Sequence, residues 1–409
     1  SFFVDENDKL WIGTNKGVCT YNGHRFVQVH NEINTVVNAI ITDRFGSFWF
    51  GTYNGLFRYI PFKQQLENVT SSNGLANNFI VDLQFDMEGS LWVTHYKGGL
   101  TRIKDGKFIN YTQNGGLPGK VVNSVFETSN GGLLAGFDNG TLVIIDKGEI
   151  KTLPLNSKHG NTRIRHVMVD NRQNMWISTY NGLLKVDENL NEKWFKADNE
   201  FFDNQFRLTF QDSKGNIWVG SRNNGVAVLN NNNKVLAHYN VENGLLSNLV
   251  MAIEEDQDGN IWVGTSEGNG CLNKIDPNGK ISSFTNAQGF DGEIVFNIYP
   301  EINGNVWLAT VDGLWLYNGS AFTKFSTKNG LLNNTVYDIL ADDVGFFWLP
   351  FENGVMKVRK DDLLAMINSP NRRFECRLYN QYDGMTNAEC NSTAQALKMK
   401  NGTLVFPTL

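Results

Sequence analysis

The chain has 409 residues, 41% hydrophobic and 12% aromatic, with 40 glycines against 8 prolines, a balance that suits a large all-β protein rich in tight turns. A net charge of −6 with no long basic stretch argues against nucleic-acid binding, and no apolar run approaches the roughly 18 residues of a membrane span. Cys19, Cys271, Cys376 and Cys390 lack metal or redox spacing and read as buried free thiols, although a Cys376–Cys390 disulfide is conceivable. The six histidines form no paired motif, so no metal or other cofactor is expected.

The chain opens on an apolar strand and then on DENDKLWIGT from Asp5. The same frame returns as DRFGSFWFGT from Asp43, DMEGSLWVTH from Asp86, DNRQNMWIST from Asp170, DSKGNIWVG from Asp212 and DQDGNIWVG from Asp256. It continues as EINGNVWLAT from Glu301 and DDVGFFWLPF from Asp342, with degenerate copies at TSNGGLLAGF from Thr128 and KMKNGTLVFP near the end. Eight of the ten tryptophans occupy one position of this frame, and Leu134 and Val405 fill it in the degenerate copies. A fixed period of this kind is the signature of a repeat architecture.

Each copy reads as four short strands. Residues before the Asp alternate, as in Val250, Ala252 and Glu254 against Met251, Ile253 and Glu255, with one set mostly apolar, which is a half-buried strand. Asp-x-x-Gly supplies a turn acceptor and a residue free to take positive φ. A run such as IWVGT is a strand buried on both faces. A second turn (Tyr53-Asn54-Gly55, Tyr180-Asn181-Gly182), a third strand such as GLLKVD and a fourth such as AFTKFS complete the unit. Four strands per roughly 42 residues describe a β-propeller blade. The Trp on the second strand is expected to fill the space between stacked blades, where its burial is worth several kcal/mol at about 25 cal/mol per Å².

The fold expected is therefore all-β, a propeller of about ten four-stranded blades, one ring of seven complete or nearly so and part of a second. The boundary is placed at the Trp-less fourth copy, with residues 1–114 as the last three blades of one propeller and 115–409 as a second whose last blade is truncated. A chain that starts inside a strand and stops inside a repeat reads as a piece of a longer protein. Between Trp348 and Val405 the period stretches to 57 residues. There KDDLLAMIN, near 360–369, reads as a helix with Asp361 and Asp362 at its start and Ser369-Pro370 at its end.

The repeat D-x-x-G-x-[LI]-W-[IV]-G-T-x-x-G-[LV], with the segments Asn73-Gly74-Leu75, Asn243-Gly244-Leu245 and Asn329-Gly330-Leu331, resembles the two-component-regulator propeller family. The resemblance covers essentially the whole chain. It implies the periplasmic or extracytoplasmic sensor region of an inner-membrane receptor, non-catalytic in itself, that detects an oligosaccharide and works as a homodimer. It also implies a membrane segment and an output module, such as a histidine kinase, further along. The alternatives are a propeller enzyme, similar to streptogramin lyases or cleaving glycans, and a protein-interaction scaffold, which the missing Gly-His and Trp-Asp marks disfavour.

A ligand is expected on the face where second strands turn into third strands. The candidates there are Asp138, Tyr180, Asn181, Arg222, Asn223, Glu267 and Glu352, with Tyr53 and Tyr96 at the same position of earlier repeats. Rings offer stacking surfaces, and amides and charges hold hydroxyls, although Asn and Asp also serve any tight turn. KHGNTRIRH, residues 158–166, adds Arg165 beside Lys158, Arg163 and His166, able to receive a carboxylate or sulfate or simply to be a solvated loop.

Overall fold

The computed structural model describes every residue except 6–7, 44–45, 62–63, 73, 87–89, 104–108, 156–161, 196–204, 267–270, 368 and 370–372. The described residues are almost entirely strand and turn, in ten antiparallel sheets whose strands are hydrogen-bonded in chain order. Eight sheets have four strands, the third has three and the tenth has two, so the four-stranded unit read from the sequence holds for eight of the ten repeats. The one α-helix among the described residues, Lys360–Ile367, lies where expected and buries Leu363 and Met366. All four cysteines are free.

The chain divides into two compact units, Ser1–Lys107 and Phe108–Leu409. The first holds three sheets and the second seven. Within the second unit each sheet packs on the next through its first strand: Val122–Glu127 on Ile164–Val169, that on Phe206–Gln211, then Leu249–Glu255 and Val295–Pro300. The last sheet returns to the first. Leu397 and Val405 pack on Leu117, Val125 and Leu133, and the Asn391 side chain donates to the Val122 carbonyl at 2.9 Å and to Asn123 Oδ1 at 3.2 Å. Lys400 N–H donates to Glu127 Oε2 at 2.8 Å.

The repeat frame carries the packing. In each of eight repeats the indole Nε1–H donates to the carboxylate six residues earlier, from 2.8 Å for Asp256–Trp262 to 3.1 Å for Glu301–Trp307. In most copies the other carboxylate oxygen accepts the backbone N–H that closes the turn, as Asp212 Oδ1 does from Asn216 at 2.7 Å. One side chain thus holds the turn and orients the ring. This explains why the two degenerate copies lose both partners together: Thr128 precedes Leu134 and Met399 precedes Val405.

Where a sheet follows within the unit the ring packs against it, as Trp176 does against Phe206 and Ile217 and Trp262 against Phe290 and Val295. Six of the eight are buried. Trp92 and Trp348 are only half-buried, because no sheet follows the third within its unit and the sheet after Trp348 has two strands. The glycine two residues after the Trp lets the next sheet approach: a Cβ on Gly264 would lie 2.8 Å from Val295 Cγ1 and 2.9 Å from its carbonyl oxygen.

Candidate functional site

The first strand of each of seven sheets carries a β-bulge at the same register. The residue left over is Asn38, Val81, Asn123, Arg165, Arg207, Met251 or Phe296. A bulge bends its strand and re-aims one side chain. Here it lies beside the end of the second strand, where the residue 15 positions later in the chain sits: Tyr180 after Arg165, Arg222 after Arg207. Each repeat thus presents two side chains at one end of its sheet, opposite the end that carries the Asp–Trp clasp.

In the fifth sheet (Ile164–Val169, Met175–Thr179, Gly182–Val186, Glu192–Phe195) and the sixth (Phe206–Gln211, Ile217–Ser221, Val226–Leu229, Val235–Tyr239) this end is strongly basic. Arg165 is 4% exposed and its guanidinium lies over the Tyr180 ring, 5.4 Å from the centroid. Its Nε has no hydrogen-bond partner. Arg207 is half-buried, and Arg163 and Arg222 are exposed. Among the described residues no ion pair joins any of the four to a carboxylate.

The electrostatics follow. Burial lowers the pKa of Arg165, and the charges of Arg163 and Arg222 lower it further while Tyr180 opposes. Burial, with Arg165 and Arg222, brings Arg207 down to about 10. Burial would raise the Tyr180 phenol, but Arg165, Arg207 and Arg163, which also hydrogen-bonds it, together hold it below its ordinary value. Among the described residues the set is a cluster of cations without an anion.

Of the residues expected from sequence, Tyr180, Arg165 and Arg222 meet here, joined by Arg163 from the basic segment. Asn181 is exposed at the rim and serves its turn: its N–H donates to Thr179 Oγ1 at 3.1 Å and its side chain to Thr162 Oγ1 at 2.9 Å. Asn223 is exposed beside Arg222. Asp138 holds the equivalent position of the fourth sheet, its N–H bonded to the Val121 carbonyl. Glu352 holds that of the ninth, accepting from Asn333 and Asn353 and lying close enough to Tyr337 to raise its pKa after burial. No contact joins Asp138 or Glu352 to the arginines among the described residues. Glu267, Lys158 and His159 lie outside the described residues.

Arg207 was missed. It follows Arg165 by 42 residues at the same repeat position, and aligning the first strands, IRHVMV over FRLTFQ, was the signal available. His166, next in the strand after Arg165, is half-buried and bonded to Thr209 and Gln395 at 3.3 Å each, and burial lowers its pKa to about 4. A cavity of about 250 Å³ lies at the opposite, clasp end, between the turns at Asp258 and Gly304. Two of its carboxylates are already engaged, Asp256 by Trp262 and Glu301 by Trp307 and Lys360.

Residues 31–54, 200–223 and 244–267 match the family model described as two component regulator propeller. These three segments are similar to two-component regulator propeller repeats. The second matched segment ends on the Arg222-Asn223 rim. The chain is 24% identical to the extracellular domain of the putative hybrid two component system BT3049 from B. thetaiotaomicron, with a TM-score of 0.62 over 100% of this chain and 55% of that one. It is 20% identical to the extracellular domain of the putative hybrid two component system BT4673 from the same organism, with a TM-score of 0.58 over 99% of this chain and 56% of that one. At this identity the likeness establishes the fold, and the chain spans little more than half of either domain. No curated protein matches it.

Proposed function

We propose that this chain is part of the extracytoplasmic region of a bacterial two-component receptor, that it senses an oligosaccharide, and that it catalyses no reaction itself. The observation that carries the reading is the contrast within each regulator-propeller repeat: the clasp end keeps its chemistry through eight copies, while the bulge end changes from blade to blade and gathers Tyr180 and four arginines on two adjacent sheets. Variable side chains on a rigid scaffold are the usual form of a binding face. The solved domains of the same fold are extracellular parts of two-component systems, which supports the same placement.

In this reading residues 1–114 and 115–409 belong to two propellers of a receptor that acts as a homodimer and reaches the membrane through other segments. A ligand changes signalling only if it binds one arrangement of the receptor more tightly than the other, since equal affinity for both shifts nothing. The chain by itself therefore binds without signalling. Calorimetry of the chain against a panel of neutral and acidic oligosaccharides, with chromatography of the recovered sugar, tests this. Binding without cleavage is expected, and loss of affinity in Tyr180→Ala would locate it. Cleavage of any panel member, or no binding at all, would overturn the reading.

A further inference from the structure

A guanidinium removed from water needs an anion or a set of hydrogen-bond acceptors, because the cost of burying an uncompensated charge is several kcal/mol. Arg165 has neither in full. It is 4% exposed, its Nε faces no acceptor, and its nearest charged neighbours are other arginines. Arg207 stands beside it at the same bulge of the next sheet, also without a carboxylate partner among the described residues. Such an arrangement is poor for stability in the empty protein, and the fold holds it in place by two β-bulges at matched positions.

The geometry points to a site for an oxyanion carried by the ligand: a carboxylate or a sulfate ester of an acidic oligosaccharide, received between Arg165 and Arg207, with Arg222 reaching it from the rim. The oligosaccharide part rests on the sensing function proposed above; the oxyanion part rests on the arginines alone. Planar guanidinium forks match the paired oxygens of carboxylate, sulfate and phosphate, which a single ammonium does not. Tyr180 contributes a hydroxyl. It accepts a hydrogen bond from Arg163 and keeps its own proton to donate.

The positive charge is confined to these two sheets. The same bulge position holds Met251 in the next sheet and Phe296 in the one after, the latter packed edge-on against Tyr337 at 5.4 Å. One part of the rim thus favours negative charge and the adjoining part apolar surface. That pairing suits a sugar acid, with charged substituents on one side of a ring and C–H groups on the other. A fully charged polymer, nucleic acid for instance, would find cations along only a short arc.

The experiment compares matched pairs at fixed ionic strength: trigalacturonic acid with its carboxyl-reduced trisaccharide, and a sulfated disaccharide with its desulfated form. Inorganic sulfate is titrated against sodium chloride of equal ionic strength, with thermal melting as the readout. The acid or the sulfate ester is expected to bind at least about ten-fold tighter than its neutral partner, the scale of one lost charge-assisted contact, and sulfate is expected to raise Tm more than chloride. Which pair shows the difference identifies the source of the oxyanion. The double variant Arg165→Gln/Arg207→Gln should abolish the preference. Should that variant not fold, the exposed Arg222→Gln keeps the test decisive, weakening the acidic member several-fold and the neutral member not at all. Equal affinity within both pairs would overturn the oxyanion site and leave sugar sensing standing. Sulfate stabilisation without binding of any sugar would uphold the site and overturn its oligosaccharide ligand. No sugar bound and no difference between sulfate and chloride would overturn both.

Discussion

The second strand Ile217–Ser221 ends in opposite electrostatic states. At its start Asp212 accepts from the Asn216 N–H at 2.7 Å, the Asn216 side chain at 2.9 Å and the Trp218 indole at 2.9 Å, so that the carboxylate is well supplied with donors. Just past its end, Arg222 and the neighbouring Arg207 face Arg165 and Tyr180, and among the described residues no carboxylate pairs with them. A single blade therefore keeps one end saturated and the other short of partners. The saturated end is rebuilt in eight repeats; the unsaturated one is confined to two. Repetition marks what the fold needs, and departure from it marks where the chain can do something else.

The largest break in this contrast should come from the clasp end. Trp262 is 1% exposed and fills the space against Phe290, Val295 and Trp315. Trp262→Ala is expected to cost about 3 to 5 kcal/mol in denaturant melts, the usual loss for a large buried aromatic. A loss similar to that of a surface substitution would mean that the indole is not what joins the sheets.

Next comes the carboxylate. Asp212→Asn keeps the size of the side chain but replaces one acceptor oxygen with a donor amide, which opposes either the indole N–H or the turn N–H. A loss of about 1.5 to 3 kcal/mol is expected, the range for hydrogen bonds to a charged group. Indole fluorescence should shift together with stability. If fluorescence stays while stability falls, the turn carries the effect and the ring does not depend on it.

The clasp end was largely legible in the sequence, because its signals are local. Asp, Gly and Trp fall within seven residues, and the frame alone predicted turn, strand and buried ring. What it did not reveal is that the Asp binds the Trp: turn chemistry already accounted for the residue, so the indole N–H was left without a partner. The bulge end was legible only in part. Tyr180, Arg165 and Arg222 are ordinary candidates by residue type, but a bulge leaves no mark in an alternating pattern, so nothing placed Arg165 against Tyr180 or raised Arg207 above its neighbours. Closure of the seven-sheet unit was out of reach for another reason. Asn391 and Val122 are 269 residues apart, and no local propensity encodes a contact at that separation.

The third test reverses the sign. Arg207 is held down to about 10 chiefly by burial, with Arg165 and Arg222 adding to it. A base whose folded pKa lies below its unfolded value is charged at a cost, present in full at neutral pH and fading only above about pH 10. Arg207→Gln should therefore raise the stability of the ligand-free protein, by about 1 to 2 kcal/mol once loss of side-chain packing is allowed for. A destabilisation of similar size would show that the arginine supports the fold and would weaken its reading as a ligand group.

The smallest effect sharpens the comparison within the ring itself. Glu254, on the first strand of the seventh sheet, is pushed up to about 8 by burial and by the charge of Asp338. Asp338 is pushed up to about 7 by burial, against the pull of the Ala396 and Ile339 N–H groups. Both folded pKa values lie above the unfolded ones, so their contribution is complete below about pH 4 and is lost as pH rises through 7 to 8. His166 works the other way: lowered to about 4, it costs stability as pH falls from about 6.5. The unit should be most stable on the mildly acidic side of neutrality. Glu254→Gln removes one ionisation from the alkaline limb, so melting profiles of wild type and variant should run together near pH 4 and diverge progressively toward pH 9, the variant being the more stable. Parallel profiles across that range would mean that Glu254 already ionises freely, and that the charge shortage inside the ring is confined to the arginine mouth.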